Sequence, residues 1–160
     1  MKVSKIMTTK VVTVGVDDNL GKVYQIFEKH RFHHLLVVSG KTLLGIVSDR
    51  DLLKHLSPRI GTPMANEHDQ AAFKRKVSQI MSRELIVILD TESVLQAVRL
   101  FNRHRISCLP VVNAERQWVG ILSWRDVFRQ IEKVKGSPSL LVPEKPAKQQ
   151  EVQLADPDKL

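Results

Sequence analysis

Apolar side chains recur at helical spacing in two places along the chain. Leu20, Val23, Tyr24 and Phe27 form one stripe, and Val94, Ala97, Val98 and Phe101 form the other. Each stripe follows a short run rich in β-branched residues, 10–16 and 84–89, that reads as a strand. Asp17-Asp18 and Asp90-Thr91 stand between run and stripe and are the expected helix N-caps. Two more strands follow each helix. They cover 35–38 and 43–47 around Ser39-Gly40-Lys41, then 109–112 and 118–122 around a turn at 113–117. A short helix closes each set, over 49–56 and 124–131. Gly21 lies inside the first stripe and costs that helix roughly 1 kcal/mol relative to alanine. Close approach of another backbone would account for it.

The two sets are copies of one another. KVSKIMTTKVVTV at 2–14 aligns with KVSQIMSRELIVI at 76–88, and GIVSDRD at 45–51 returns as GILSWRD at 120–126. The chain therefore reads as a tandem duplication, found by looking for internal repeats. The first unit is expected over 1–56 and the second over 77–135, each β-α-β-β-α in a mixed α/β (α+β) fold. A unit of this size buries too little surface to be comfortably stable alone. Two units packed about a pseudo-twofold axis would relieve that and leave equivalent clefts between them. Residues 57–76 read as a linker, with 69–76 as a candidate helix. Residues 136–160, with four prolines, read as a flexible tail in which SLLVP could dock on a surface.

Composition narrows the class. Of 160 residues, 42% are hydrophobic, which supports a packed fold. No apolar run approaches the roughly 20 residues needed to cross a membrane, and the N-terminus lacks the apolar stretch of a signal peptide. Cys108 is the only cysteine, so no intrachain disulfide can form, and a cytoplasmic setting is expected. The formal net charge of +8 is spread through both units and is not concentrated in the tail. That favours an anionic partner. A nucleotide, a nucleic acid and a solvated basic surface all satisfy it.

The repeated phrase carries the candidate chemistry. Ser48 with Asp51, and Ser123 with Asp126, have the spacing of a capping box. That role needs no ligand. The same position, however, offers unpaired helix N–H groups and a hydroxyl to a phosphate. A carboxylate there can accept two hydrogen bonds from a ribose diol. Other constellations are weaker. His30, His33 and His34 cluster in HRFHH, but no acid or thiol lies within the run, so no metal site is expected. His104 and Cys108 lack an orienting third group, so no enzyme is expected from them, and Cys108 reads as a core residue. The chain has neither a Walker A sequence nor GxGxxG.

The ordered motifs, present twice, resemble a pair of CBS domains (a Bateman module), and the layout is most similar to small stand-alone bacterial CBS-pair proteins. They are the S-x-I-M opening, the strand, the amphipathic helix and G-h-h-S-x-x-D in both copies, with LPVV at 109–112 in the second alone. The resemblance implies a regulatory sensor that binds AMP, ADP, ATP or S-adenosylmethionine between the units, needs no other cofactor, signals to an effector protein and forms a homodimer. It implies ribose or phosphate contacts for Ser48, Asp51, Ser123 and Asp126. It implies base packing for Thr13, Val14, Ile46 and Val47 in one copy, and for Val87, Ile88, Ile121 and Leu122 in the other. Arg31, His33, His34 and Arg105 become the phosphate candidates. The sequence departs from the pattern at Leu36, where proline is usual, and at Trp124, which could stack on a base or plug the cleft. The competing readings are an interaction module with vacant clefts and a basic surface that takes RNA or DNA.

Overall fold

The computed structural model of the protein describes residues 1–30, 32–60 and 62–134. The tail expected over 136–160, SLLVP included, lies outside these residues, as does Arg31.

The first copy consists of β1 (Thr13–Val14), α1 (Leu20–Lys29), β2 (His34–Ser39), β3 (Thr42–Ser48) and α2 (Asp49–Leu53). After α3 (Glu67–Ala72), the second copy supplies β4 (Ile88–Leu89), α4 (Val94–His104), β5 (Cys108–Val112), β6 (Trp118–Ser123) and α5 (Trp124–Val134). Each copy forms its own three-stranded sheet, ordered β1-β2-β3 and β4-β5-β6. The first two strands of each sheet run parallel and the last two antiparallel. Both hairpins shift register at the same place. Val37 pairs with Gly45 but Val38 with Leu43, and Val111 pairs with Gly120 but Val112 with Trp118.

Two boundary expectations are corrected. The strands over 10–16 and 84–89 shorten to two paired residues each. The α1 and α4 caps are Asn19 and Ser93, whose side chains accept from the N–H groups of Lys22 and Gln96. Asp18 is committed elsewhere: its Oδ2 accepts from Gly15 N–H and from Lys22 Nζ, both at 2.8 Å. The Lys22 ammonium, followed by the Gly15 N–H, holds the Asp18 carboxyl below the usual carboxylate range.

The segment between the copies is more than a tether. Helix α3 starts on an Asn66–Asp69 capping box. Asp69 is buried, and its carboxyl is held below the usual range, first by the Asn66 N–H, then by Ser57 and the Arg59 guanidinium. The chain after α3 docks on the start of α1. Leu20 N–H donates to Arg75 O and Gly21 N–H to Phe73 O, at 2.9 and 3.1 Å. These bonds satisfy donors that a helix N-terminus leaves open. A Cβ on Gly21 would stand 3.3 Å from Asn19 Oδ1 and 3.4 Å from the Phe73 Cβ, both side-chain atoms, so the expected close approach of another backbone is not what a side chain at this position would meet.

The copies exchange their leading segments. Short 3₁₀ turns at Val3–Lys5 and Val77–Gln79 open the two repeats. Val3, Ile6 and Met7 join the core built by Ile88, Leu109, Val111 and Leu122 of the second copy. Val77, Ile80 and Met81 join the core of Val14, Leu35, Val37 and Val47 in the first. Matching hydrogen bonds fix both crossings. Thr8 and Ile121 exchange N–H to carbonyl bonds of 2.9 and 3.0 Å, and Ser82 and Ile46 do so at 2.9 and 3.1 Å. Neither core is complete without residues from the other repeat, which is how units this small reach a stable burial.

Candidate functional site

Helix α2 begins where β3 ends, and α5 begins where β6 ends, so the two repeated phrases sit at equivalent strand-to-helix corners. At the first corner Ser48 and Asp51 form a full capping box. Asp51 N–H donates to Ser48 Oγ at 3.1 Å, and Ser48 N–H donates to Asp51 Oδ2 at 3.0 Å. The Ser48 hydroxyl also donates to the same carboxylate oxygen at 2.6 Å. At the second corner Asp126 Oδ2 accepts from Ser123 N–H at 2.9 Å and from Ser123 Oγ at 2.6 Å. The capping role read from the spacing is thus made at the first corner, and its carboxylate half at the second. In each case one carboxylate oxygen does the local work.

Both corners open onto one cavity of about 800 Å³, within the size range of small-molecule sites. Ser48, Asp51, Ser123 and Asp126 all line it, as do His33, His34, Ile46, Ile121 and Arg105. The remaining base-packing candidates do not form its wall. Val14, Val47, Ile88 and Leu122 are buried in the two cores; for Val47 and Leu122 this follows because strand neighbours face opposite ways and Ile46 and Ile121 take the cleft side. Thr13 and Val87 are half-buried and also lie outside the lining. The apolar wall comes instead from Val11 and Val12 of the exchanged leader, with Phe32 and Ile106. Those leader residues had no sequence signal, since only the crossing of the two repeats brings them here. Trp124 stands in the lining yet is 42% exposed, packed edge-to-face with Phe128 at a ring-centroid distance of 5.2 Å. A plug would be buried, so Trp124 is a wall residue at the rim.

The cavity's charge is lopsided. Lys10, Arg50, Arg105, Arg125 and Arg129 line it, against Asp49, Asp51 and Asp126. Arg129 Nη1 pairs with Asp126 Oδ1 at 3.2 Å, and His33 Nδ1 lies 2.6 Å from Asp49 Oδ2. Among the described residues, Lys10, Arg50, Arg105 and Arg125 have no acidic partner. Burial pushes His34 below the usual histidine range, so it is neutral near pH 7 and adds no charge. Arg105 adopts the left-handed conformation at the end of α4, with φ 52° and ψ 37°. Glycine is the usual residue there, so a cavity-facing arginine is held at some backbone cost. Burial pushes the Cys108 thiol up to about 12, so it remains protonated and unreactive. Among the described residues, no group of three His, Cys, Asp or Glu side chains is placed to hold a metal ion. No helix among them is long and apolar enough to cross a membrane.

The structure is thus a duplicated β-α-β-β-α unit packed crosswise around one shared cleft. The CBS domain family model matches residues 3–58 and 77–133, and the chain belongs to that family. The pair is a regulatory kind of module, not a catalytic one. An uncharacterized protein of Methanocaldococcus jannaschii is 33% identical over 134 residues, which cover 83% of this chain and 45% of that protein. A CBS domain-containing protein of Dictyostelium discoideum is 27% identical over 139 residues, covering 82% of this chain and 92% of the relative. The crystal structure of CBSX2 in complex with AMP superposes with a TM-score of 0.70 at 25% identity. It covers 84% of this chain and 98% of that one. Several curated relatives are longer, and the chain spans less than half of their length.

Proposed function

We propose that the chain is a regulatory sensor that binds an adenosine-containing nucleotide in the shared cleft and passes its occupancy to a partner protein. One observation carries this reading: two Ser–Asp corners and four cations with no acidic partner among the described residues line a single nucleotide-sized cavity. Asp51 and Asp126 suit the ribose diol, and Ser48 and Ser123 the adjoining oxygens. Ile46 and Ile121 give the base an apolar wall, while Arg105, His33 and His34, also in the cavity lining, are the phosphate contacts. AMP in CBSX2 supports the ligand class. Surplus positive charge favours AMP, ADP or ATP over S-adenosylmethionine, whose sulfonium carries a positive charge of its own. The signal arises only to the extent that ligand binds one arrangement of the two units better than another.

Thermal unfolding with AMP, ADP, ATP, S-adenosylmethionine and NAD tests the reading. Ligand at 100 times its Kd stabilises by about 2.7 kcal/mol, a shift of about 5–10 °C for a chain of this size. Asp51→Ala or Asp126→Ala should reduce that shift, each by weakening its own half of the shared cleft. Folded protein that shifts with none of these compounds overturns the proposal. A shift produced by RNA or DNA that fades steeply with salt supports the basic-surface reading instead.

The same chain is proposed to pair with a second copy. Leu53 on α2 and Phe128 on α5 are matching repeat positions, and both are more than half exposed, with Trp124 and Ile131 alongside Phe128. Large apolar side chains clustered in this way mark an interaction face. Light scattering should give twice the 18.2 kDa chain mass for the wild type and the chain mass for Phe128→Asp.

A further inference from the structure

The repeats place a Ser–Asp pair at each corner, but the two carboxylates are not in the same state. At both corners Oδ2 is taken up by the serine N–H and hydroxyl. The difference lies in the other oxygen. Asp126 Oδ1 accepts from Arg129 Nη1 at 3.2 Å, whereas Asp51 Oδ1 has no hydrogen-bond or ion-pair partner among the described residues. Helix length separates the two cases. Helix α5 continues to Val134, so Arg129 lies one turn beyond Asp126 on the same face. Helix α2 stops at Leu53, and the matching position, Lys54, is its C-cap.

We infer that the two halves of the cleft are unequal, that the Ser48–Asp51 half takes the first ribose, and that Arg129 is the residue that sets this order by occupying Asp126. This rests on the adenosine reading proposed above. With Oδ2 taken up by the serine, both hydroxyls of a ribose diol need the two acceptor sites of Oδ1. Asp51 offers both, whereas Arg129 occupies one of the two on Asp126 until it lets go. The Arg129 guanidinium is well exposed, so releasing it weakens the second site by no more than about five-fold. The order is therefore graded: both halves fill, the first at lower ligand concentration.

Calorimetric titration of the full chain with ATP tests this. Wild type should show a tighter and a weaker phase. Asp51→Asn should lose the tighter phase by ten-fold or more in Kd. Asp126→Asn should remove the weaker phase. Arg129→Gln should tighten the weaker phase by up to about five-fold, bringing the phases together. A looser weaker phase in Arg129→Gln would make Arg129 a ligand contact and overturn the inference. So would loss of the tighter phase in Asp126→Asn, or two equal phases in the wild type. Each of these outcomes leaves the adenosine reading standing. Absence of binding by ATP, AMP and S-adenosylmethionine to the folded wild type removes that reading, and this inference with it.

Discussion

Replacing Gly120 with alanine is expected to cost about 3 kcal/mol, a fall in Tm of about 6–12 °C. A Cβ at this position would lie 2.7 Å from the Thr8 carbonyl oxygen and 3.1 Å from Met7 Sδ. The nearer atom is backbone, and its position is fixed from both sides. Thr8 donates to and accepts from Ile121, the residue after the glycine, so the two strands cannot separate without stretching those bonds. Gly45 is the repeat-related control. Its added Cβ would meet Met81 Sδ at 2.7 Å and the Ser82 carbonyl at 3.0 Å. A thioether at the end of a flexible side chain can turn away, so Gly45→Ala should cost clearly less than Gly120→Ala. Urea unfolding of both variants measures the difference. Equal and small losses, under about 0.5 kcal/mol each, would mean that the leaders do not cross as closely as the distances require.

The first letter of the repeated phrase therefore has a meaning that its sequence context did not reveal. Ser and Asp three apart announce a cap, and the cap is found, because capping is a local event. The helices over 20–29 and 94–104 were legible for the same reason: four apolar residues at helical spacing, present twice. The glycine answers to a segment from the other repeat, and no local period records a contact between residues 8 and 120. The same blindness explains the misread helix starts. Asp18 is a good capping residue, but Lys22 and the turn at Gly15 claim it, so Asn19 caps instead. The site was legible in part on the same grounds. Its Ser–Asp corners repeat and could be read. Lys10, Val11 and Val12 reach the cleft only through the exchange of leaders. Arg129 stood three residues beyond Asp126 throughout, and that spacing on a helix was the available signal.

Val3→Asp should unfold the protein, and the milder Val3→Ala should show why. Val3 is fully buried, in the core formed by Ile88, Ala97, Phe101, Leu109, Val111 and Leu122 of the second copy. A carboxylate there has no cation among the residues packed around it, and an unpaired buried charge costs several kcal/mol. Against a total stability of about 5–15 kcal/mol, that loss is enough to abolish the near-ultraviolet circular dichroism of packed aromatics at physiological temperature. Val3→Ala removes two methyl groups and should cost about 2 kcal/mol, leaving a folded chain in which the damage can be located. Its effect should be crosswise: amide exchange should speed up in β5 and β6, more than a hundred residues away, while β2 and β3 are little changed. Val77→Ala, at the matching place in the second leader, should do the reverse, because Val77 packs with Leu35, Val37 and Val47. Loosening of β2 and β3 by Val3→Ala would instead mean that each leader belongs to its own repeat. The crossing also bears on ligand control. The leaders that complete the two cores run straight on into Thr8, Lys10, Val11 and Val12 and, in the second copy, Ser82, all on the cavity wall. A ligand that moves this wall acts on both cores at once, and so on the arrangement of the two units.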